Sequence, residues 1–386
     1  MTRFLSLIST VETALWALVL SLSVSACTKN ENDAEDSPPS TPFVGVVSFN
    51  LSISSSTVPA NCGEAITLYT SEYQTAYTAG ARGAQTAAPW VALENDGDNL
   101  DAGEDAEGFN LVMVSNSYFG LNAIAGYGFS SIFFNLPSLT HTGRKMPSDI
   151  SALAFNHATV KTRYRRAIDK VLPYLSSSVK YFSLGNEVDT YFNSNPSEWA
   201  AYKELIEDAR TYLKSLKPDI IVGVTTTFDG ATANHTANVA SLNENMDAIF
   251  LTYYPIGGGF IPRSPSTVST DMAAMVLISG SKPIVMQEWG YPSSATLSSS
   301  EQNQADFVTN TFSSWASHGS TKFPFISFFK RREWNACECA AQTGGGSPGQ
   351  AFYEFMCSLG LLNNNSSEKS ANQVLTTKMS ELGIPH

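Results

Sequence analysis

Two apolar runs that each end on a glutamate constrain the fold more than any other feature of the sequence. The first run, residues 181–187, ends in Asn186 and Glu187, and the second, residues 284–288, ends in Glu288. An apolar run that stops at a carboxylate predicts a buried strand whose carboxyl end opens on a functional site. In α/β barrels, the side chains at this end of the strands build the active site. The sequence therefore predicts two carboxylates at one mouth of a parallel sheet.

Strand-like runs alternate with helical patterns along most of the chain. In residues 158–175, apolar side chains recur at the spacing of a helix with one buried face. Eight strands are expected, at residues 43–49, 82–88, 130–137, 179–184, 220–225, 248–255, 283–287 and 323–329. This alternation predicts an α/β fold, a (β/α)8 TIM barrel forming a single catalytic domain. The second candidate, an open doubly wound sheet, would carry a glycine-rich phosphate-binding turn after its first strand, and the sequence has none.

The amino-terminal region has the pattern of an export signal. Residues 4–26 are largely apolar, and the four residues ending at Cys27 resemble a bacterial lipobox, whose cysteine is acylated after cleavage. An ordinary signal peptide with an incidental cysteine is the alternative, and Glu12 weakens both interpretations. We expect a lipid-anchored protein of the bacterial cell envelope, with a signal peptide at 1–26, a flexible polar tether at 27–41 and the catalytic domain at 42–386.

The charge of the chain limits its partners. The formal net charge is −12 at pH 7, which repels nucleic acids and other anionic polymers, whereas a neutral polysaccharide meets no such repulsion. The five histidines are scattered without metal-ligand spacing, so neither a metal nor an organic cofactor is expected. A monomer is expected, with membrane contact only through the lipid anchor.

Four cysteines other than Cys27 remain for disulfide bonds. They are Cys62, Cys337, Cys339 and Cys357, which allow three complete pairings in an oxidising compartment. Cys337 and Cys339 are expected to have different partners. A zinc site is the alternative, but the sequence lacks the usual paired ligand spacing.

The two glutamate segments resemble those of glycoside hydrolases of clan A. In that clan an Asn-Glu pair ends the fourth barrel strand and the nucleophile follows the seventh, and here Glu187 and Glu288 follow the fourth and seventh predicted strands. Residues 288–293 are similar to nucleophile segments of family 17 β-1,3-glucanases, and residues 253–255 are closer to family 53 β-1,4-galactanases. In architecture the resemblance extends from about residue 43 to residue 362. In sequence it is limited to these short segments.

The resemblance implies a retaining β-glycosidase that cuts within a β-linked polysaccharide, β-galactan or β-glucan, although the sequence leaves endo and exo action open. Glu288 would be the nucleophile, and Glu187 the acid/base, with a pKa raised by the neighbouring charge. Asn186 would bind the sugar 2-hydroxyl. Tyr254 or Tyr253 would donate a hydrogen bond to Glu288, and Tyr254 is favoured because the two tyrosines point to opposite faces of their strand.

Further residues are candidates for sugar contacts, each with a structural alternative. Trp289 and Trp334 would stack on sugar faces, Trp90 and Asn135 would line the pocket, and arginines after the eighth strand would form a cationic rim favouring an acidic sugar. Residues 345–349 match a serine-hydrolase elbow, but no strand precedes them. A surface glycan-binding lipoprotein without catalysis is the alternative function, and the presence of both glutamates argues against it.

Overall fold

The structure, a computed structural model, describes residues 19–25, 45–52, 65–94, 109 and 121–384. The predicted tether, Cys27 and Cys62 lie outside these residues. The strands of the described residues are β1 Val19–Ser25, β2 Val46–Ser52, β3 Ala81–Ala87, β4 Ser131–Asn135, β5 Leu139–Thr140, β6 Gly143–Arg144, β7 Val179–Ser183, β8 Ile221–Gly223, β9 Thr225–Thr227, β10 Ile249–Tyr253, β11 Ile284–Trp289 and β12 Phe325–Phe328.

Helices separate most of these strands. They are α1 Ala65–Thr78, α2 Trp90–Leu93, α3 Leu121–Gly126, α4 Ala158–Val171, α5 Val188–Phe192, α6 Trp199–Leu216, α7 Thr236–Asn243, α8 Thr267–Ser279, α9 Glu301–His318, α10 Ala336–Gln342, α11 Ala351–Cys357 and α12 Ser370–Glu381. Within the described ranges, none of them is both long and apolar enough to cross a membrane.

The large sheet closes on itself as a barrel. Its strands follow the order β8-β7-β4-β3-β1-β2-β12-β11-β10-β9. The strands at the two ends, β8 and β9, are halves of one segment interrupted only at Val224; β8 pairs with β7, and β9 pairs with β10. Counting β8 and β9 as one strand and leaving β1 aside, eight strands form the ring, and all of their described pairings are parallel. The predicted (β/α)8 barrel is confirmed.

One strand departs from this pattern. β1 lies between β2 and β3 and is antiparallel to both. It falls within the segment predicted to be the signal peptide, so cleavage before Cys27 would remove it. β2 and β3 run parallel to the other strands, and their direct pairing would then complete an eight-stranded ring. The predicted domain bounds remain predictions.

Two apolar layers hold the barrel together. Inside it, the rings of Phe133 and Phe250 lie 5.1 Å apart, and those of Tyr181 and Phe325 lie 5.2 Å apart, which fills the barrel with a solid aromatic layer. Outside it, the helices cover the sheet, and α4 buries the residues whose spacing predicted its apolar face, Val160, Tyr164, Ile168 and Val171. The interior is therefore closed below the mouth.

The segment after β12 is cross-linked. A disulfide joins Cys339 in α10 to Cys357 at the end of α11, so the two helices that follow the eighth barrel strand are tied to each other.

The arginines of this segment do not form the predicted cationic rim. Arg331 and Arg332 are directed inward and pair with Glu72, with N–O distances of 2.8 and 3.3 Å. Their charge is satisfied within the protein, so the prediction of a rim for an acidic sugar is wrong.

Candidate active site

A layer of polar side chains lies directly above the aromatic layer. Because side chains along a strand alternate between the two faces, the residues two positions beyond the aromatic layer also point into the barrel. They are buried and polar on six of the strands: Ser48, Asn135, Ser183, Thr252, Gln287 and Ser327. The next positions toward the carboxyl ends of the strands form the mouth, where both predicted glutamates lie.

A β-bulge in β11 directs Glu288 into the mouth. Met286 pairs with Leu251 of β10, but the next pair joins Glu288 to Thr252, so Gln287 is an extra residue. The register with β12 shifts at the same place. A bulge changes the alternation of side chains along its strand. Gln287 and Glu288 therefore both serve the barrel interior.

Glu288 is held by a tyrosine. Tyr254 donates a hydrogen bond from its hydroxyl to Glu288 Oε2 at 2.6 Å, as expected for the tyrosine favoured at the mouth. Burial and the charge of Glu187 raise the pKa of Glu288 to about 8, and the tyrosine hydrogen bond acts in the opposite direction.

Glu187 sits at a sharp change of backbone direction between β7 and α5. Its φ is 48° and its ψ is 41°, the left-handed region that non-glycine residues seldom occupy. Thr252 donates a hydrogen bond to Glu187 Oε1 at 2.7 Å, and His141 Nδ1 lies 3.4 Å from Oε2. The Glu187 side chain is 19% exposed and that of His141 is 40% exposed. The acid/base candidate is therefore open to solvent on one side.

Asp189 fixes the backbone that carries Glu187. Its carboxylate accepts hydrogen bonds from the backbone N–H and the hydroxyl of Thr227, at 2.8 and 2.6 Å. Burial raises the pKa of Asp189 to about 6, and the Thr227 hydrogen bonds oppose that rise. A Cβ on Gly230 would lie 2.1 Å from Asp189 Oδ2, so only glycine leaves room for this anchor. The contact ties the left-handed turn to the end of the fifth barrel strand.

The polar layer also orients Asn186. Gln287 donates a hydrogen bond from Nε2 to Asn186 Oδ1 at 2.6 Å, and Thr225 donates from its hydroxyl to Gln287 Oε1. Because Oδ1 accepts this bond, the Asn186 amide directs its N–H groups elsewhere, and no described residue accepts from them. Binding of a sugar hydroxyl by Asn186 remains a prediction that this orientation allows.

Two predicted sugar contacts, Trp289 and Trp90, are fully buried side chains, and so is Tyr253, the tyrosine that was not favoured as the partner of Glu288. Trp289, at 0% exposure, follows the bulge, points outward and donates from Nε1 to Thr311 Oγ1 at 2.8 Å. Tyr253, also at 0% exposure, points outward and donates to Asp271 at 2.6 Å. Trp90 packs in the core and donates to Glu94 at 2.7 Å.

Two further predicted contacts are also corrected. Lys330 Nζ lies 3.4 Å from the ring centroid of Trp334 and covers one face of it, and only 7% of Trp334 is exposed. Asn135 is 1% exposed and belongs to the layer beneath the mouth. Neither side chain presents a surface on which a sugar could stack or bind.

Several residues of the site were missed by sequence reasoning. Thr252 was within reach, because it lies two positions before Tyr254 on the same strand and so faces the same side. Asp189 and Gln287 were not, because their roles depend on a left-handed turn and a bulge. His141, on the short turn between β5 and β6, carried no signal in the sequence. The described residues contain no group of three or more His, Cys, Asp or Glu side chains that could hold a metal ion.

No family model matches this chain, and no curated protein does. Solved structures do resemble it. The exo-β-1,4-mannosidase Op5Man5 from Opitutaceae bacterium strain TAV5 has a TM-score of 0.61 at 14% identity, over 81% of this chain and 55% of that one. A GH5_18 protein from Bifidobacterium longum subsp. infantis has a TM-score of 0.58 at 10% identity, over 81% and 72%.

A third structure is matched over nearly its whole length. A thermostable mutant of the xylanase Xyn10A from Cellvibrio japonicus has a TM-score of 0.54 at 14% identity, over 82% of this chain and 94% of that one. At these identities the likeness is one of fold. The chain has the barrel fold of clan A glycoside hydrolases, whereas the similarity to families 17 and 53 rests on the short segments alone.

Proposed function

We propose that the protein is a retaining β-glycosidase with Glu288 as nucleophile and Glu187 as acid/base. One observation carries the proposal. Thr252 donates to Glu187 and is the direct strand partner of Glu288, so the two carboxyl groups flank a single residue at the mouth. Neighbouring strands lie about 5 Å apart. The shared neighbour thus brings the two carboxyl groups close together, as retaining enzymes need, whereas inverting enzymes need a wider gap for water.

The chemistry follows in two steps. Glu288 attacks the anomeric carbon while the glycosidic C–O bond breaks, and Glu187 gives a proton to the leaving oxygen. Glu187, now a carboxylate, takes a proton from a water molecule. The oxygen of that water attacks the anomeric carbon, and the bond to Glu288 breaks. The sugar is released with its original anomeric configuration.

The surroundings of each carboxylate support this assignment of roles. The nucleophile must be fixed, and Tyr254 holds Glu288 through a short hydrogen bond. The acid/base must exchange protons with the leaving oxygen and then with water, and the Glu187 side chain is the one with 19% exposure and a neighbouring histidine. Asn186, oriented by Gln287, would hold the sugar 2-hydroxyl.

The substrate we propose is a β-linked polysaccharide, with β-galactan or β-glucan first in order. The similar structures include an exo-β-1,4-mannosidase and a xylanase, and a GH5_18 protein from Streptomyces cattleya was solved with GlcNAc. These names favour a β-linked sugar and extend the range to be tested to β-mannan and xylan.

A panel of polysaccharides tests the proposal. The protein should release reducing ends from one of β-galactan, β-1,3-glucan, β-mannan or xylan, and Glu288→Ala should not. The alternative, a glycan-binding protein without catalysis, would be retarded in gels that contain the polysaccharide and release no reducing ends. Binding without turnover on every polymer would overturn the enzymatic proposal.

We also propose that the protein is exported and anchored through Cys27. The support is the apolar segment, the lipobox-like residues and the polar tether that follows them. Cys27→Ala should move the protein from the membrane fraction to the soluble fraction. Identical soluble fractionation of the variant and the wild type would contradict the anchor.

A further inference from the structure

A ladder of aromatic rings leads from the nucleophile to the protein surface. It begins at Tyr254, which holds Glu288, and passes to Phe355, with ring centroids 5.3 Å apart. Phe355 stacks on Phe260 at 5.3 Å, and Phe260 contacts Phe352 at 5.3 Å. The rings come from two separate segments, the loop after β10 and helix α11. Both segments follow barrel strands, so the ladder lies on the face that carries the carboxylates.

The outer end of the ladder is an exposed apolar surface, which we call the aromatic rim and define as Phe260, Ile261 and Phe352. Phe352 is 41% exposed and Ile261 is 50% exposed. Exposing large apolar side chains side by side is unfavourable in water, and a contiguous patch of this kind marks a binding surface. The other exposed large hydrophobic residues of the described chain, Leu216 and Leu277, lie on helices of the outer layer.

The backbone at the rim is strained at Phe260. Phe260 has a φ of 61°, in the left-handed region, and it directly follows Gly259 with a φ of 70°. For a non-glycine residue this conformation is unfavourable, because Cβ comes too close to the following carbonyl oxygen. Three consecutive glycines, residues 257–259, precede it and permit the tight turn. Phe260 is half-buried and contacts the exposed Phe352. Strain held beside an exposed aromatic side chain points to a functional surface.

The second segment of the rim is rigidly held. Helix α11, which carries Phe352 and Phe355, is joined at Cys357 to Cys339 by the disulfide. Glu354 of the same helix accepts a hydrogen bond from Ser294 at 2.6 Å, which ties the helix to the loop after β11. The rim is thus fixed relative to the strand that bears Glu288.

We propose that the aromatic rim is a sugar-binding subsite that stacks on the apolar face of a pyranose ring some distance from the bond to be cleaved. This rests on the proposed function and names a contact for a part of the substrate that does not react. Phe355, between Tyr254 and the rim, is buried, so the sugar would contact the rim alone. Both segments that carry the rim follow barrel strands on the face of the mouth, which favours a chain that runs from the rim into the mouth.

Substrate length provides the test. Phe352→Ala should raise KM for the polysaccharide about fivefold to tenfold and leave kcat unchanged, because the lost contact does not touch the reacting atoms. The same variant should hydrolyse an activated aryl monoglycoside as the wild type does. Phe352→Trp should keep the wild-type KM. Leu277→Ala, at an apolar side chain that is 82% exposed on α8, is the matched control and should change nothing.

The outcomes separate the two proposals. If the wild type hydrolyses neither the polymer nor the aryl glycoside, the proposed function fails, whatever the rim does. If the wild type is active and Phe352→Ala behaves like Leu277→Ala on the polymer, the subsite is wrong. Equal losses on both substrates would also overturn it, because the rim would then act through Tyr254. A change in the sedimentation of Phe352→Ala with an unchanged KM would mean that the rim binds a second copy of the protein, not a sugar.

Discussion

The two glutamates at the mouth are held in opposite ways. Glu288 lies on strand β11, is directed inward by a bulge and is fixed by one short hydrogen bond from Tyr254. Glu187 lies in a strained turn, is partly open to solvent and contacts a threonine and a histidine. Identical side chains at one mouth thus have environments suited to different work. Environment, more than residue type, separates a fixed nucleophile from a group that exchanges protons.

Removing either carboxyl group should have the largest effect on the rate of hydrolysis. Glu288→Ala should lose at least about a hundredfold in rate on every substrate, because the covalent step needs this group. Glu187→Ala should lose as much on polysaccharide but far less on an aryl glycoside whose leaving group needs no proton. Steady-state kinetics on both substrate types measures the difference. Near-normal activity of both variants on polysaccharide would remove the assignment.

Removing the hydrogen-bond donor to each carboxylate should distinguish the two roles in the same way, with smaller losses of rate. Tyr254→Phe removes a hydrogen bond to a charged group, worth about 1.5–3 kcal/mol, and should slow all substrates about tenfold or more. Thr252→Val keeps the shape of the side chain and should slow only substrates with poor leaving groups, by about tenfold. A plot of rate against leaving-group pKa should steepen for Thr252→Val alone. Parallel plots for the two variants would contradict separate roles.

The raised pKa of Glu288 should appear as a pH-dependent change in stability. A carboxyl with a raised pKa binds its proton more tightly in the folded protein, so the free energy of unfolding falls as pH rises from about 4.5 to about 8. Glu288→Gln carries no titrating group and should escape this loss. Its advantage over the wild type should grow by about 1 kcal/mol or more between pH 5 and pH 8.

Urea unfolding at the two pH values measures this difference. Glu368→Gln, at an exposed glutamate outside the mouth, is the control and should show no such growth. A constant difference between Glu288→Gln and the wild type across this pH range would mean that Glu288 is ionised throughout.

The sequence predicts the barrel well because its strands are continuous apolar runs of the length that buried parallel strands require. Glu187 and Glu288 were also identifiable, because each directly ends such a run. The direction of a side chain was harder to read. Trp289 was placed in the mouth, but the bulge at Gln287 reverses the alternation, and the tryptophan points into the helix layer.

Contacts between distant segments were not predictable at all. Asp189 reaches Thr227 only because Gly230 leaves room, and His141 approaches Glu187 from a turn between two short strands. Arg331 was expected on an exposed cationic surface, yet it pairs with Glu72 of a helix far away in the sequence. These positions depend on tertiary packing, which no local pattern encodes.

The stereochemistry of the product and the response to azide test the central claim most directly. Proton NMR of the first product formed by the wild type should show the β anomer, as double displacement requires. Glu187→Ala with an activated aryl glycoside should regain turnover when azide is added and should form a β-glycosyl azide, whereas Glu288→Ala should not form that product. An α anomer from the wild type, or a β-glycosyl azide from Glu288→Ala, would contradict the account.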